Sequence, residues 1–188
     1  WLPPEGPLAI AGCFVCFEGE TGFAAAACEG VSTVATGPVT AAYESGLLAL
    51  RELDLLAAAV RGLPSSPDAL LVNATGRDHP RRAGLALHLG AVLGLPTAGV
   101  THRSLVAVGE WPRDERGATS PLLLEGELVG YWVRTRPGTR PLAVHAAWRT
   151  DADAAVALAL RSVGRARTPG PIREARRVAR QARAHRCR

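Results

Sequence analysis

Lysine and methionine are both absent from the 188-residue sequence, and it contains no long apolar run. All 22 basic residues are arginine, so no lysine amine is available for Schiff-base chemistry or general-base catalysis. No apolar run approaches the roughly 20 residues of a membrane-spanning helix, and no basic-then-apolar leader opens the chain. We therefore expect a soluble, cytoplasmic protein with one domain over residues 1–188. Since the chain starts at Trp1 without methionine, we expect its natural N-terminus to lie upstream.

Cysteine is scarce, occurring only as Cys13, Cys16, Cys28 and Cys187. Cys13 and Cys16 have C-x-x-C spacing, but they lie in a strand-like run over residues 9–17. Because alternate residues of a strand face opposite sides of a sheet, an offset of three separates the two thiols. We predict that they are small core residues in a reducing compartment, and not a metal site or a disulfide.

The charge is distributed unevenly along the chain. Residues 161–188 contain ten arginines and one acidic residue, Glu174, whereas residues 1–160 contain 12 arginines and 16 acidic residues. A basic end on a mildly acidic body indicates a contact with a polyanion. The alternative is a solvated, arginine-rich helix without a ligand. In both cases we predict a basic C-terminal helix at about 171–186.

Apolar periodicity and turn residues predict an α/β fold, with a mixed β-sheet covered by helices on both faces. A meander of strands comes first, and strands then alternate with helices. The predicted strands lie at 9–17, 22–29, 31–39, 68–73, 96–101 and 141–146, with a hairpin over 122–135. The predicted helices lie at 46–61, 80–93, 151–163 and 171–186.

The most informative segment is 73–90, NATGRDHPRRAGLALHLG. It is typical of a strand end, a glycine turn and a helix that starts at Pro80, which is a place where open α/β sheets bind ligands. Arg81 and Arg82 would lie in the first helical turn, beside free backbone N–H groups. They would form a phosphate-binding corner there, unless they pair with acidic residues of the body.

From Gly76 onward this segment follows the pattern D-G-x-G-x-x-H-P-R-x-x-G-L-A-x-H-x-G, and the chain resembles endonuclease V. The segments YESGLLALRE (43–52), LPTAGV (95–100), VG (129–130), RTR (134–136) and PGPIR (169–173) are similar to further motifs of that family. The resemblance covers about residues 9–180. It implies a ribonuclease H-like fold, DNA repair, and Mg²⁺-dependent hydrolysis of a phosphodiester near hypoxanthine (deoxyinosine).

The chemical positions depart from the family pattern. The resemblance implies three metal-binding carboxylates, of which only Glu52 is present, because Phe14 and Asn73 stand at the other two positions. His102 stands at the position of a family lysine, and Trp148 at that of a family histidine. We therefore expect a degraded metal site in which Glu52 and Asn73 hold Mg²⁺ or Mn²⁺ weakly. Glu52 also lies on an apolar helix stripe, so it should be paired, protonated or bound to a ligand.

The resemblance also implies positions that bind nucleic acid. Tyr43 matches a wedge residue that inserts beside the target base, although a plain half-buried tyrosine is the alternative. Four residues match the base pocket: Gly46, Leu48, Gly76 and Leu85. His79, with Arg81 and Arg82, is placed to contact phosphate, whereas His88 is expected to be a hydrogen-bonded core residue.

Three functions remain open at this point. The first is a nucleic-acid-binding relative, acting on DNA or RNA, with weak or no nuclease activity. The second is an active Mg²⁺- or Mn²⁺-dependent nuclease with a rearranged site of Glu52, Asn73, His102 and His145. The third is a fold reused for a protein partner or for a small molecule near Glu52 and His102.

Overall fold

A mixed β-sheet of eight strands forms the centre of the molecule over residues 1–39 and 48–186, the part that the computed structural model describes. The strand order is β3-β2-β1-β4-β5-β8-β7-β6, with β1, β4 and β5 parallel to one another and antiparallel pairing elsewhere. The strands are β1 (Ile10–Glu18), β2 (Thr21–Cys28), β3 (Val31–Pro38), β4 (Ala69–Val72), β5 (Thr97–Thr101), β6 (Thr119–Leu124), β7 (Glu127–Val133) and β8 (Leu142–Ala146).

Helices cover both faces of this sheet. The described helices are α1 (Leu48–Arg61), α2 (Leu85–Leu93), α3 (Ala152–Arg161) and α4 (Gly170–Arg186). The short central strand β4 divides its side chains between the two layers, as a period of two requires. Leu70 and Val72 pack with residues of α1 and α2, whereas Leu71 packs with residues of α3. The predicted α/β sheet with helices on both faces is confirmed.

The helix α4 lies directly on β1 and β2 because small residues face it. A Cβ atom on Gly12 would overlap the backbone of Pro171 and Ile172, so only glycine permits this approach. Alanines of β2 and α4 continue the contact in a small buried cluster: Ala25, Ala27, Ala175 and Ala179. The arginine-rich helix is thereby held against the first strand of the sheet.

The two cysteines of β1 face opposite layers, as predicted from their spacing. Cys13 is buried among residues of α1 and α2, and Cys16 packs with the cluster under α4. Cys13, Cys16 and Cys28 are free thiols. Within the described ranges, no helix has both the length and the apolar character needed to cross a membrane.

The prediction of a helix from Pro80 is wrong, because α2 begins five residues later, at Leu85. Backbone hydrogen bonds from Gly84 N–H to the Gly76 carbonyl and from Ala86 N–H to the Thr75 carbonyl hold the intervening residues as turns. Arg82 lies in this turn with a φ of 52°. Arg81 and Arg82 therefore do not occupy the first turn of a helix.

Candidate functional site

Three positions at which the resemblance places carboxylates come together in one cavity. Phe14 of β1, Glu52 of α1 and Asn73, which follows β4, all line a cavity of about 290 Å³. The parallel pairing of Cys13 with Val72 puts the next residues of the two strands, Phe14 and Asn73, side by side at the sheet's edge. The remaining lining is largely apolar: Cys13, Val15, Leu48, Leu56, Val72 and Leu85.

Glu52 lines this cavity among largely apolar side chains. It makes no ion pair with any residue in the described part of the chain, so the alternative of a paired Glu52 is not supported. Burial raises the pKa of Glu52 to about 7, and the nearby Arg51 opposes the shift only in part. The carboxyl is therefore a mixture of protonated and ionised forms near neutral pH.

A residue that sequence reasoning missed, Arg176 of α4, contacts the other two members of the trio. Its Nη2 donates a hydrogen bond to Asn73 Oδ1 at 3.0 Å, and its guanidinium carbon lies 5.1 Å from the centre of the Phe14 ring. Its Nε is buried without a partner. Burial and the neighbouring Arg180 lower the pKa of Arg176. The sequence could have indicated that Arg176 lies close to the sheet, because it adjoins the apolar stripe of α4 that the structure buries, Ile172, Ala175 and Ala179.

These residues do not fit a magnesium ion. Mg²⁺ needs several hard anionic oxygens in octahedral geometry. The cavity offers one carboxylate, a phenyl ring, and an amide oxygen that already accepts a hydrogen bond from a guanidinium. Residues 1–39 and 48–186 contain no cluster of three or more His, Cys, Asp or Glu able to hold a metal ion. Arg176 places a positive charge beside the cavity, against Asn73 and Phe14 of its lining.

The rearranged site suggested by the sequence is not assembled. Of its four residues, only Glu52 and Asn73 line the cavity. His102 is an exposed residue after β5, and the pKa of its ring is lowered by partial burial and by Arg167 and Arg176. His145 is fully buried in β8, where its Nε2 lies 2.9 Å from Thr101 Oγ1. Burial lowers the pKa of His145, and it has no access to the cavity.

The residue at the other replaced position, Trp148, also lies outside the cavity lining. Its backbone N–H donates to Thr97 Oγ1 at 3.0 Å, and its side chain packs beside Gly90 at the far end of β5. Trp148 therefore has a packing role in this structure.

A second, larger cavity of about 550 Å³ adjoins the first and shares Leu48, Asn73 and Leu85 with it. Two residues predicted to contact nucleic acid, His79 and Arg81, also line it. His88 lines it as an exposed residue, so the prediction of a core histidine is wrong. Gly76 does not line this cavity. It packs closely against β8, where an added Cβ would overlap the Ala146 carbonyl. Tyr43 and Gly46 lie outside the described residues.

Arg82 does not contribute to a phosphate corner. Its guanidinium forms ion pairs with Glu125, at 2.9 Å, and with Glu127 of the β6–β7 hairpin. The alternative of pairing with acidic residues of the body is correct for Arg82. Arg81 is exposed, and its backbone N–H donates to His79 Nδ1 at 3.2 Å.

Asp78, in the turn that precedes α2, is completely buried. Its carboxylate accepts hydrogen bonds at 2.7–2.8 Å from the backbone N–H groups of Leu105, Val106 and Ala107. Leu105 lines the second cavity, so Asp78 fixes one of its walls. No spacing in the sequence reveals a contact across about thirty residues of this kind.

Comparison with known proteins identifies relatives of this fold and site. Residues 12–177 match the model of the family described as endonuclease V. An endonuclease V of Xanthomonas campestris is 38% identical over 182 residues, covering 92% of this chain and 77% of that protein. The crystal structure of endonuclease V from Streptomyces avermitilis is similar with a TM-score of 0.92 and 34% identity, covering 99% of this chain and 86% of that one.

A more distant structure shares the fold. The endonuclease V of Ciona intestinalis, in complex with a 24mer DNA that contains an inosine followed by a ribo-adenosine, has a TM-score of 0.81 at 19% identity. The comparison covers 95% of this chain and 86% of the Ciona chain.

Proposed function

This chain belongs to the endonuclease V family, and on that premise we propose that it binds nucleic acid but hydrolyses phosphodiesters weakly or not at all. The observation that carries this proposal is the contact of Arg176 with both Asn73 and Phe14. A cationic side chain of the protein thus occupies the neighbourhood in which the family resemblance implies a metal ion between carboxylates.

The charge of the cavity supports the loss of metal-dependent cutting. Three carboxylates would give a charge of −3, whereas the lining of this cavity has at most −1, from Glu52, and the +1 of Arg176 lies beside it on Asn73. The raised pKa of Glu52 reduces even that negative charge at neutral pH. A divalent cation would meet one partly protonated carboxyl and a fixed positive charge, which is a poor site for an ion that dehydrates reluctantly.

The same features favour retention of nucleic-acid binding. Arg176 and the exposed Arg173 and Arg180 on the same helix make this side of the site positive, which favours a phosphate group. The second cavity, with Leu48 and Leu85 on its walls and His79 and Arg81 at its rim, has room for a nucleobase. Because a family member from Ciona is bound to inosine-containing DNA, hypoxanthine is the base we propose for this pocket.

The test is an oligonucleotide with one hypoxanthine, as DNA and as RNA, compared with an adenine control. We expect binding in EDTA that does not become tighter when Mg²⁺ or Mn²⁺ is added, and little or no cleavage product. Efficient cleavage in Mg²⁺ or Mn²⁺ that disappears in Glu52→Ala would contradict the proposal and favour an active nuclease. Absence of binding to every oligonucleotide would favour a fold reused for a small molecule or a protein partner.

We also propose a reducing, cytoplasmic location. The three described cysteines are free, and Cys13 and Cys16 face opposite sides of the sheet, which supports this assignment.

A further inference from the structure

Four arginines of α4 form one continuous stripe that passes beside the cavity. Arg173, Arg176, Arg180 and Arg183 follow one another at intervals of three or four residues, so they share one side of the helix. At a rise of about 1.5 Å per residue the stripe is about 15 Å long. We call these four residues the arginine track.

The track runs along the side of β1 that faces α4, from Phe14 towards Cys16, and so leads away from the site. Arg176 contacts Asn73 and Phe14, and the Arg180 guanidinium lies 6.0 Å from the centre of the same phenyl ring. Farther along, Arg180 and Arg183 both act electrostatically on the Cys16 thiol. Arg173, Arg180 and Arg183 are exposed, so their charges face solvent.

The track carries more positive charge than the acidic residues described near it can balance. Glu174, the acidic residue of α4, bonds to Arg177 on the neighbouring side of the helix. None of the four track arginines makes an ion pair with a carboxylate in the part of the chain that is described. Like charges three and four residues apart destabilise a helix, and cations in its first turn oppose the helix dipole. An anionic ligand along the track would relieve both effects.

We propose that the arginine track binds the sugar-phosphate backbone of the nucleic-acid strand whose base enters the second cavity. This inference rests on the proposed function and adds to it the surface that guides the strand. Regularly spaced guanidinium groups over about 15 Å match a regularly charged polymer, and they read phosphate without reading sequence. Arg176 is the point where the track meets the cavity, and Arg173 and Arg183 mark its two ends.

The experiment measures how binding of a fluorescent, hypoxanthine-containing single strand of 20 nucleotides depends on salt, in EDTA. We compare the wild type with Arg180→Gln and with the double variant Arg173→Gln and Arg180→Gln. The matched control is the double variant Arg61→Gln and Arg149→Gln, which also removes two positive charges. Arg61 and Arg149 are exposed and contact only carbonyl groups, of Val92 and Gly94.

We expect the slope of log K against log salt to fall in magnitude by about 0.7 in the single variant and about 1.4 in the α4 double variant. The control should keep the wild-type slope, and no variant should melt at a lower temperature than the wild type, since removing track charges relieves repulsion within α4. Equal salt slopes in the wild type and the α4 variants would show that the arginine track does not bind the strand. The same conclusion would follow if the salt slope of the control fell as much as that of the α4 double variant. Those two outcomes leave the proposed function intact, whereas a wild type that does not bind the strand would overturn the proposed function itself.

Discussion

The two charged side chains at the cavity come from opposite faces of the sheet, and they have very different surroundings. Glu52, from α1, lies among apolar residues without an ion pair in the described structure. Arg176, from α4, contacts an amide oxygen and a phenyl ring. The charge of Glu52 alone therefore does not describe the electrostatics of this cavity, because Arg176 approaches from the other face of the sheet. Both faces of the sheet have to be considered before a chemical role is assigned to Glu52.

The largest effect on stability is expected from a change that disrupts the close contact between α4 and β1. Gly12→Ala would force a methyl group into the backbone of Pro171 and Ile172, which should destabilise the protein by about 3 kcal/mol and displace Arg176 from Asn73. Urea unfolding measures the loss.

The control for this variant is Gly164→Ala, where an added Cβ has no neighbour within 4 Å. A Gly12→Ala protein as stable as Gly164→Ala would contradict the close contact of α4 with β1.

The α1 side of the comparison is tested by pH. The folded-state pKa of Glu52 is raised from 4.5 to about 7, so the folded state holds this proton more tightly than the unfolded state. The contribution of Glu52 to stability is therefore fully present below pH 4.5 and is lost as pH rises to about 7. The loss is at most about 3 kcal/mol.

Glu52→Gln should match the wild type near pH 4 and become the more stable protein by pH 8. Urea unfolding of both proteins at the two pH values measures this difference. A constant difference between them across that range would show that Glu52 has an ordinary pKa.

Arg176→Gln tests the α4 side, with a smaller effect than the two above. Glutamine can still donate a hydrogen bond to Asn73 but has no charge, so hypoxanthine-containing single-stranded DNA should bind about tenfold more weakly. Arg176→Lys should retain part of the affinity because it keeps the charge. Fluorescence anisotropy measures the affinity of the three proteins for this DNA. Equal affinities would show that Arg176 does not take part in binding.

The smallest effect is expected at Arg82, which differs from the arginine track because it has acidic partners. Its ion pairs with Glu125 and Glu127 are largely exposed, so Arg82→Gln should leave the melting temperature close to that of the wild type. Its charge is already compensated, so the salt dependence of binding should not change. If Arg82→Gln lowered the salt slope as much as Arg180→Gln does, Arg82 would have to be counted among the residues that bind phosphate.

Much of the fold was predictable because its signals are local. The hairpin around Glu125 and Gly126 follows from a turn that both residues adopt with positive φ, and α2 ends at Gly94 in the left-handed conformation. The convergence of Phe14, Glu52 and Asn73 also followed from the family resemblance. Each of these required only a short pattern or a known motif.

The remaining features depend on contacts between distant segments. Arg176 lies 103 residues from Asn73, and Arg82 lies more than 40 residues from its two partners. The late start of α2 depends on carbonyls of Thr75 and Gly76, which proline at position 80 does not reveal. Motifs and spacing predict which side chains are near the site, but they do not predict which of those side chains contact one another. Those contacts are set by the tertiary structure.

We infer that Arg176, and not a metal ion, supplies the positive charge beside this cavity. The decisive measurement is a titration of Mn²⁺ into the wild type and into Glu52→Ala, followed by the electron paramagnetic resonance signal of the free ion. Both proteins should show the same weak, unsaturated uptake of Mn²⁺. A saturable Mn²⁺ site that is present in the wild type and lost in Glu52→Ala would show that a metal ion binds in this cavity instead.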